Sequence, residues 1–314
     1  MRTRENIALQ QSIMRTLLYF DLFRYPLKPD EIFKFLGSNG IAPTDLAEPL
    51  NDLVQKGHVF HHSGFYFTQE GKDLVERRSA GNLTAKRMTS FANRRGKFIG
   101  RFPFVRGVLA SGSFSKGYMD KDSDLDFFII TAPGRLWVAR MLIALYKRIV
   151  LFNSHKYFCC NYFIASDNLE IEEKNLFTAT ELATLIPLYG TSYYRQLMLE
   201  NQWVKEFFPN FRPADAQPVP EPGSMMLKSL FERLLRGSFG DRLSRKCQQL
   251  TLQRWKRLYS RQYPAVDFSI AFKSTSSVSK NHPNHFQRRV LERYDEKLRD
   301  FSKKKFRLVQ LTDS

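Results

Sequence analysis

The first part of the chain alternates apolar and polar residues in patterns that predict three helices and a two-stranded ribbon. Between residues 5 and 23 apolar side chains recur at steps of seven, three and four residues, the spacing of one helix face. Shorter helices are expected at 30–36 and 44–54, the second of them kinked or split by Pro49. Residues 58–68 predict two short strands that fold about a Ser-Gly turn.

This order of elements is typical of a winged helix-turn-helix domain, whose third helix would read a DNA groove. In this chain the third helix carries Asp45, Glu48 and Asp52. These acids would oppose the phosphate contacts that supply most non-specific DNA affinity. A packing or partner-docking role is therefore favoured for this unit, and DNA binding stays an alternative.

The central part of the chain predicts two strands, 105–109 and 125–131, with a tight turn at 111–113 after the first. Side chains alternate along a strand, so Asp124 and Asp126 are expected to face the same side. Two carboxylates a few ångströms apart repel each other unless a cation lies between them. Oxygen ligands of this kind suit Mg²⁺, which is usually held by one or two carboxylates together with substrate phosphates.

The turn before the second strand has the residues of a phosphate-binding loop. Gly112 lets the backbone approach a phosphate closely, and Ser113 offers a hydroxyl and an N–H group. Lys116 and Lys121 follow in the loop, where either could neutralise a triphosphate. Together with the two acids, this arrangement predicts metal-assisted phosphoryl or nucleotidyl transfer.

At these residues the chain resembles the nucleotidyltransferase superfamily that includes DNA polymerase β. The resemblance rests on the Gly-Ser turn at 112–113, the spacer, and "SDLD" at 123–126 followed by an apolar strand. A longer pattern is similar to prokaryotic nucleotidyltransferase-domain proteins with an N-terminal winged helix, and it covers roughly the first two thirds of the chain. The stretches that carry it include "YFDLFRYPL", "GFYFT", "SDLDFFIIT" and "FTATELATLIPLYG".

The resemblance implies a role for each matching residue. Gly112 and Ser113 would hold the β and γ phosphates of a nucleoside triphosphate, and Lys116 and Ser123 would complete the nucleotide-binding set. The metal ligands would be Asp124 and Asp126, binding two Mg²⁺ ions. An acceptor hydroxyl would attack the α-phosphate in line and expel pyrophosphate.

The third carboxylate of the superfamily is not evident in this sequence. The strand expected to carry it, "KYFCCNYFIA", has Asn161 as its central polar residue, and an amide cannot accept the acceptor's proton. Glu170 and Glu172 alternate on a possible next strand and are alternatives, although exposed charges at an edge explain them equally well. If neither reaches the site, the protein would bind nucleotide without efficient turnover.

Two further helices were interpreted from their apolar pattern. Residues 134–152 predict a core helix, on which Arg140 is expected at the surface, with pairing to a carboxylate near the site as the alternative. Residues 180–187 predict a buried helix ending at Pro187.

Composition changes the picture mainly through charge. The 314 residues carry a formal net charge of +18, which favours polyanionic partners without choosing among nucleic acid, nucleotide and acidic membrane. With three cysteines, a disulfide framework is not expected. The chain shows neither an apolar leader nor a membrane span, so a cytoplasmic location is expected.

The sequence therefore predicts an α/β (α+β) nucleotidyltransferase fold with a mixed sheet. The expected domains are a winged helix-turn-helix at 1–78, a nucleotidyltransferase domain at 79–213 and a basic helical region at 214–314. The last region begins with a proline-rich linker and continues as amphipathic helices whose apolar face would cover the core. The acceptor is unknown. The alternative function is a nucleotide-sensing regulator with a weak or inactive transferase domain that acts through the winged helix.

Overall fold

The computed structural model describes residues 2–71, 73–152, 156–213, 226–259, 272, 274–280 and 286–312. The N-terminal part consists of α1 (Arg2–Asp21), α2 (Pro29–Lys34), a 3-10 turn (Pro43–Leu46), α3 (Ala47–Gln55) and the antiparallel ribbon of β1 (Phe60–His62) and β2 (Phe65–Phe67). The predicted third helix is divided, because residues 43–46 form the 3-10 turn and α3 begins only at Ala47. Pro49 then lies in the first turn of α3, where its missing N–H group costs no helical hydrogen bond.

A mixed five-stranded sheet occupies the centre of the molecule, in the order β6-β3-β4-β5-β7. Its strands are β3 (Val105–Ser111), β4 (Asp126–Thr131), β5 (Cys159–Ala165), β6 (Ile186–Tyr189) and β7 (Val278–Lys280). The β4 and β5 strands are parallel, and the other neighbours are antiparallel. This sheet with its surrounding helices confirms the mixed α/β class.

Helices connect and cover the sheet. They are α4 (Asp73–Ile99), α5 (Gly112–Ser115), α6 (Leu136–Val150), α7 (Leu176–Thr184), α8 (Thr191–Glu200), α9 (Val204–Phe207), α10 (Met226–Leu234), α11 (Ser238–Tyr259) and α12 (Phe286–Thr312). Helix α4 runs unbroken across residue 78, where the sequence predicted a domain boundary. In the described part of the chain no helix has both the length and the apolar run needed to cross a bilayer.

Both faces of the sheet are buried, and each belongs to a different hydrophobic cluster. On one face Phe128 and Ile130 of β4 pack in the same cluster as Leu17 of α1 and residues of α7. On the other face Phe127 and Ile129 pack with residues of α4, α6 and α11. The N-terminal helices therefore share a core with the central sheet.

Three predictions about individual segments are wrong. The helix expected to reach Pro187 ends at Thr184, and Pro187 lies in β6 opposite Leu109. This is an edge strand, where a proline can be accommodated. The C-terminal part is not entirely helical, because β7 pairs with β5 and extends the sheet.

The third wrong prediction concerns Arg140, which was expected at the surface. Its guanidinium lies over the rings of Phe163 and Trp255, at 4.7 and 4.9 Å from their centres. Burial lowers the pKa of Arg140 to about 10. The side chain is therefore part of the interior between the sheet and α11.

The apolar face that the sequence predicts to cover the core is buried in α11 but not in α10. Helix α11 does bury Cys247 and Trp255 against the core. The apolar residues of α10 face outward instead, and they are Met226, Leu227, Leu230, Phe231 and Leu234. The proline-rich linker predicted at 214–223 lies outside the described residues.

Candidate functional site

The site is built where β3 ends and β4 begins. Ser111, the last residue of β3, lies opposite Asp126, the first residue of β4. Gly112 follows with a φ of +66°, and a Cβ atom added there would come within 2.3 Å of Asp126 Oδ2. Only glycine accommodates both this backbone conformation and this close approach. The Gly-Ser turn and the second acid of "SDLD" are therefore in direct apposition.

The adjacent parallel strand orients the Asp126 carboxylate. Asn161 lies at an irregularity in the pairing of β5 with β4, and its Nδ2 donates to Asp126 Oδ1 at 2.9 Å. The Cys159 Sγ in turn donates to Asn161 Oδ1 at 3.1 Å. Asn161 thus lies beside Asp126, on the strand where the family resemblance led us to expect a third carboxylate. It holds Asp126 with its amide N–H group and adds no negative charge.

The pKa of the Asp126 carboxyl is raised. Burial, together with the negative charges of Asp124 and Glu181, raises the pKa of its carboxyl to about 7. The Cys159 thiol and the positive charge of Lys116 act in the opposite direction. A cation bound nearby would therefore favour the ionised form of this carboxyl.

Asp124 lies two residues before β4. Its neighbour Leu125 is fully buried, while Asp124 is only partly buried and its charge acts on Asp126 and on Lys147. The alternation expected from the strand pattern agrees with this difference in burial. The two acids interact, although Asp124 is not among the residues that line the nearby cavity.

A cavity of about 230 Å³ opens beside Asp126. Its lining includes Gly112, Asp126, Asn161 and Glu181. The rest of the lining is largely apolar, and its side chains include Phe128, Tyr162, Ile171, Phe177, Leu182, Leu185 and Phe286. The rings of Phe128 and Tyr162 are stacked with their centres 4.7 Å apart. The cavity thus combines acidic groups with a flat, apolar surface.

Sequence reasoning missed Glu181. This residue lies on α7 and lines the cavity, and its Oε1 accepts a bond of 2.7 Å from Lys116 Nζ. Lys116 Nζ also donates to the carbonyl oxygen of Gly112 at 3.1 Å, so it connects α7 with the Gly-Ser turn. Glu181 is the one charged residue within "LFTATELAT", the sequence of α7. A lone charge in an otherwise uncharged helix was the signal that could have identified it.

Glu170 and Glu172 do not join the site. The strand on which they were expected to alternate is absent, because residues 166–175, all of them described, form turns and irregular backbone. Both side chains are exposed, and Glu170 pairs with Lys174 at 2.7 Å. Neither residue lines the cavity.

The remaining predicted residues have different surroundings. Ser113 is partly buried in α5, next to Gly112, whereas Lys121 is exposed. Ser123 is engaged with Asp120, because its Oγ donates to Asp120 Oδ1 at 2.8 Å and accepts from the Asp120 N–H group. Although burial acts against it, bonds from Ser123, Tyr118 and other donors lower the pKa of Asp120 to about 2. In these contacts Ser123 shapes the loop before the acids.

The donor set fits a cation that takes part of its coordination from a ligand. Among the described residues no group of three or more histidine, cysteine or acidic side chains could hold a metal ion alone. Asp124 and Asp126 nevertheless provide neighbouring carboxylates, and the pKa of Asp126 is raised partly by the charge of Asp124. Mg²⁺ is commonly bound by one or two carboxylates together with phosphate oxygens, which matches this pair.

The connection between α1 and α2 and the first turns of α4 touch the same loop. The Tyr25 hydroxyl donates to the carbonyl oxygen of Lys116. In addition, Arg77 Nη2 pairs with Asp120 Oδ2 at 3.2 Å. The loop between the Gly-Ser turn and the two acids is therefore in contact with residues from outside the central sheet.

Comparison of the chain with protein-family models, with curated proteins and with solved structures gave no match. The geometry of the site is consequently the basis for any functional conclusion.

Proposed function

We propose that the protein is a Mg²⁺-dependent nucleotidyltransferase, which moves a nucleoside monophosphate from a nucleoside triphosphate to an acceptor hydroxyl or phosphate. The observation that carries the proposal is the apposition of Gly112 and Asp126, which approach so closely that no Cβ atom fits between them. A backbone turn open to a phosphate and a carboxylate suited to a cation thus meet at one cavity.

Each residue of the site has a role in this proposal. Gly112 and Ser113 bind the phosphates, and Lys116 neutralises them. Asp124 and Asp126 would hold Mg²⁺, which when bound supplies charge stabilisation for the phosphate oxygens. The acceptor oxygen forms a bond to the α-phosphorus as the bond to the β-phosphate oxygen breaks, and pyrophosphate leaves.

We assign the acceptor's proton to Glu181. Asn161 cannot accept it, and Glu170 and Glu172 lie away from the cavity. The Glu181 carboxylate lines the cavity, and the ion pair with Lys116 holds it near the Gly-Ser turn. A proton passed to Glu181 would also reduce the negative charge around Asp126.

The first experiment is a calorimetric titration of each Mg²⁺-bound nucleoside triphosphate into the wild type and into Asp124→Ala/Asp126→Ala. We expect the wild type to bind at least one triphosphate and the double variant to bind it at least about tenfold more weakly. Asp122→Ala is the matched control, because it removes an exposed acid from the same loop. No binding to the folded wild type, or equal binding by the double variant, would overturn the proposal.

The chemical step is tested with an α-labelled triphosphate in a screen of acceptors. We expect Glu181→Gln to lower turnover by about a hundredfold or more while changing triphosphate affinity by less than about threefold. Full turnover in this variant would remove Glu181 from the proton transfer. It would leave the metal and phosphate roles in place.

A second candidate, a nucleotide-sensing regulator, is favoured by two observations. Asn161 lies where the resemblance implies an acid, and Tyr25, between α1 and α2, contacts the Lys116 carbonyl. A gel-shift assay with random DNA duplex at several salt concentrations, with and without Mg²⁺-triphosphate, tests it. Steeply salt-dependent binding that changes with nucleotide, without turnover, would favour the regulator, and no retardation would exclude a DNA target.

A further inference from the structure

A second cavity, of about 320 Å³, lies at another face of α7 from the candidate site. Its polar lining comes from four separate parts of the chain. These residues are Lys34 of α2, Ser115 and Thr184 beside the candidate site, and Asn210 and Arg212 after α9. Asn210 Nδ2 donates to two backbone carbonyls near the end of α2, at 3.2 and 3.1 Å. The segment that carries Arg212 is thereby fixed to the helix that carries Lys34.

Both charged residues of this lining are cationic, and Lys34 is the more buried of them. Within the described residues, no hydrogen bond or ion pair engages its ammonium, which lies 5.1 and 5.7 Å from the ring centres of Phe35 and Phe211. Burial lowers the pKa of Lys34, Glu31 partly offsets this effect, and the charge of Lys116 lowers the pKa further. An anion in the cavity would favour the charged form of this lysine.

The negative charge of Glu31 does not neutralise the cations that line the cavity. Glu31 is already paired with Arg78 at 2.5 Å, and it also accepts the backbone N–H group of Lys28 at 2.9 Å. The exposed guanidinium of Arg212 donates to two backbone carbonyls at 3.4 Å, which is long for a hydrogen bond. Lys34 and Arg212 are therefore available to a ligand.

The second cavity borders the cavity of the candidate site, because Leu185 lines both. Ser115, which lines it, precedes Lys116, whose ammonium contacts the Gly112 carbonyl and Glu181 at the first cavity. The charges of Lys116 and Lys34 influence each other. A chain of phosphates leaving the Gly-Ser turn beside Lys116 would thus find a further positive region beyond it.

We propose that the second cavity binds a phosphate group through Lys34 and Arg212, and that this group is the terminal phosphate of the triphosphate, so that Gly112 and Ser113 hold only the phosphates before it. The identity of the ligand rests on the proposed function, whereas the existence of an anion site rests on the cavity and its two cations. Since Lys34 lies on α2, a bound phosphate would connect the N-terminal helices with the candidate site.

The site is tested with tripolyphosphate in EDTA, which contains neither nucleoside nor divalent metal. We expect calorimetry to show binding to the wild type, weakened about tenfold in Lys34→Gln and in Arg212→Gln. Lys205→Gln is the matched control, because this lysine is exposed on α9, and we expect less than a twofold change. Arg212 is exposed, so its variant provides a test that does not depend on the half-buried Lys34. Unchanged affinity in both variants, or no binding to the wild type, would overturn the proposal.

Two comparisons identify the source of the phosphate. Lys34→Gln should weaken binding of a nucleoside triphosphate but not of the matching monophosphate, and equal weakening of both would overturn the assignment to the terminal phosphate. Asp124→Ala/Asp126→Ala should bind tripolyphosphate at least as tightly as the wild type. If that variant loses Mg²⁺-triphosphate while Lys34→Gln leaves tripolyphosphate binding unchanged, the proposed function stands and this inference fails.

Discussion

The buried carboxyl of Asp126 should lower the free energy of unfolding by a measurable amount. Burial and the charges of Asp124 and Glu181 raise the pKa of its carboxyl to about 7. The unfolded chain loses this proton near the ordinary pKa of an aspartate, whereas the folded chain keeps it until about pH 7. Between these values the folded state binds more protons, so the free energy of unfolding falls as pH rises.

We therefore expect Asp126→Asn to stabilise the protein at pH 8 by about 1–3 kcal/mol and to have little effect near pH 4. The amide is neutral at every pH, so the penalty for ionising a buried acid disappears. Urea denaturation at the two pH values measures the difference. Asp122→Asn, at an exposed position, should change stability by less than about 0.5 kcal/mol at both. A loss of stability in Asp126→Asn that is equal at both pH values would contradict this account.

Individual residues also show what sequence alone can and cannot reveal. The close pairing of Gly112 with Asp126 was predictable, because the turn and strand patterns are local and fix both residues within a short stretch. The position of Glu181 depends on how α7 is placed against the sheet, and its separation from Asp126 is 55 positions in sequence. Arg140 is misjudged for the same reason, since its aromatic neighbour Trp255 comes from the distant α11. Long-range contacts decide such residues, and periodicity does not encode them.

At the scale of elements, the turn between β3 and α5 yields the sharpest prediction. We expect Gly112→Ala to destabilise the protein by about 2–4 kcal/mol and to abolish triphosphate binding. The new Cβ atom would come within 2.3 Å of Asp126 Oδ2, and φ at this position is +66°. The backbone conformation and the steric conflict both oppose alanine.

Gly117→Ala separates the two effects. Gly117 has a φ of +73° in the same loop, and nothing lies within 4 Å of an added Cβ atom. It should cost about 1 kcal/mol, the backbone contribution alone, and leave binding intact. Chemical denaturation and calorimetry on the two variants make the comparison. Equal losses of stability, with binding retained in both, would mean that the approach of Gly112 to Asp126 has no functional importance.

Helix α10 illustrates why an amphipathic pattern does not specify which face is buried. Its polar side is attached to the protein, since Lys228 Nζ donates to the carbonyls of Gly100 and Val105 at 2.8 Å. Glu232 accepts from the Phe104 N–H group at 2.7 Å and forms two bonds of 2.8 Å with Arg106. These polar contacts fix the polar side of α10 against the protein, whereas the sequence pattern alone predicts the opposite orientation.

At the scale of the whole molecule, the question is whether the N-terminal helices unfold independently of the central sheet. The predicted boundary at residue 78 falls inside α4, and one hydrophobic cluster includes both Leu17 of α1 and Ile130 of β4. Tyr25 and Arg77 add polar contacts to the loop of the candidate site. A shared core of this kind predicts one cooperative transition, because neither part can expose its side of the cluster without cost to the other.

Leu17→Ala tests this cooperativity. We expect a loss of about 2–5 kcal/mol, since the side chain is 1% exposed and its removal leaves a cavity in the shared cluster. All three tryptophans, Trp137, Trp203 and Trp255, lie beyond residue 78 and report on the central and C-terminal parts. In urea, tryptophan fluorescence and far-UV circular dichroism should shift together in this variant, while Leu83→Ala, half exposed on α4, should shift neither appreciably. If Leu17→Ala moves only an early circular-dichroism transition and the fluorescence midpoint stays at the wild-type value, the N-terminal helices are an independent domain.

Coincident shifts would instead make α1 part of the framework that supports the site. A ligand bound to Lys34 of α2 would then stabilise the entire molecule.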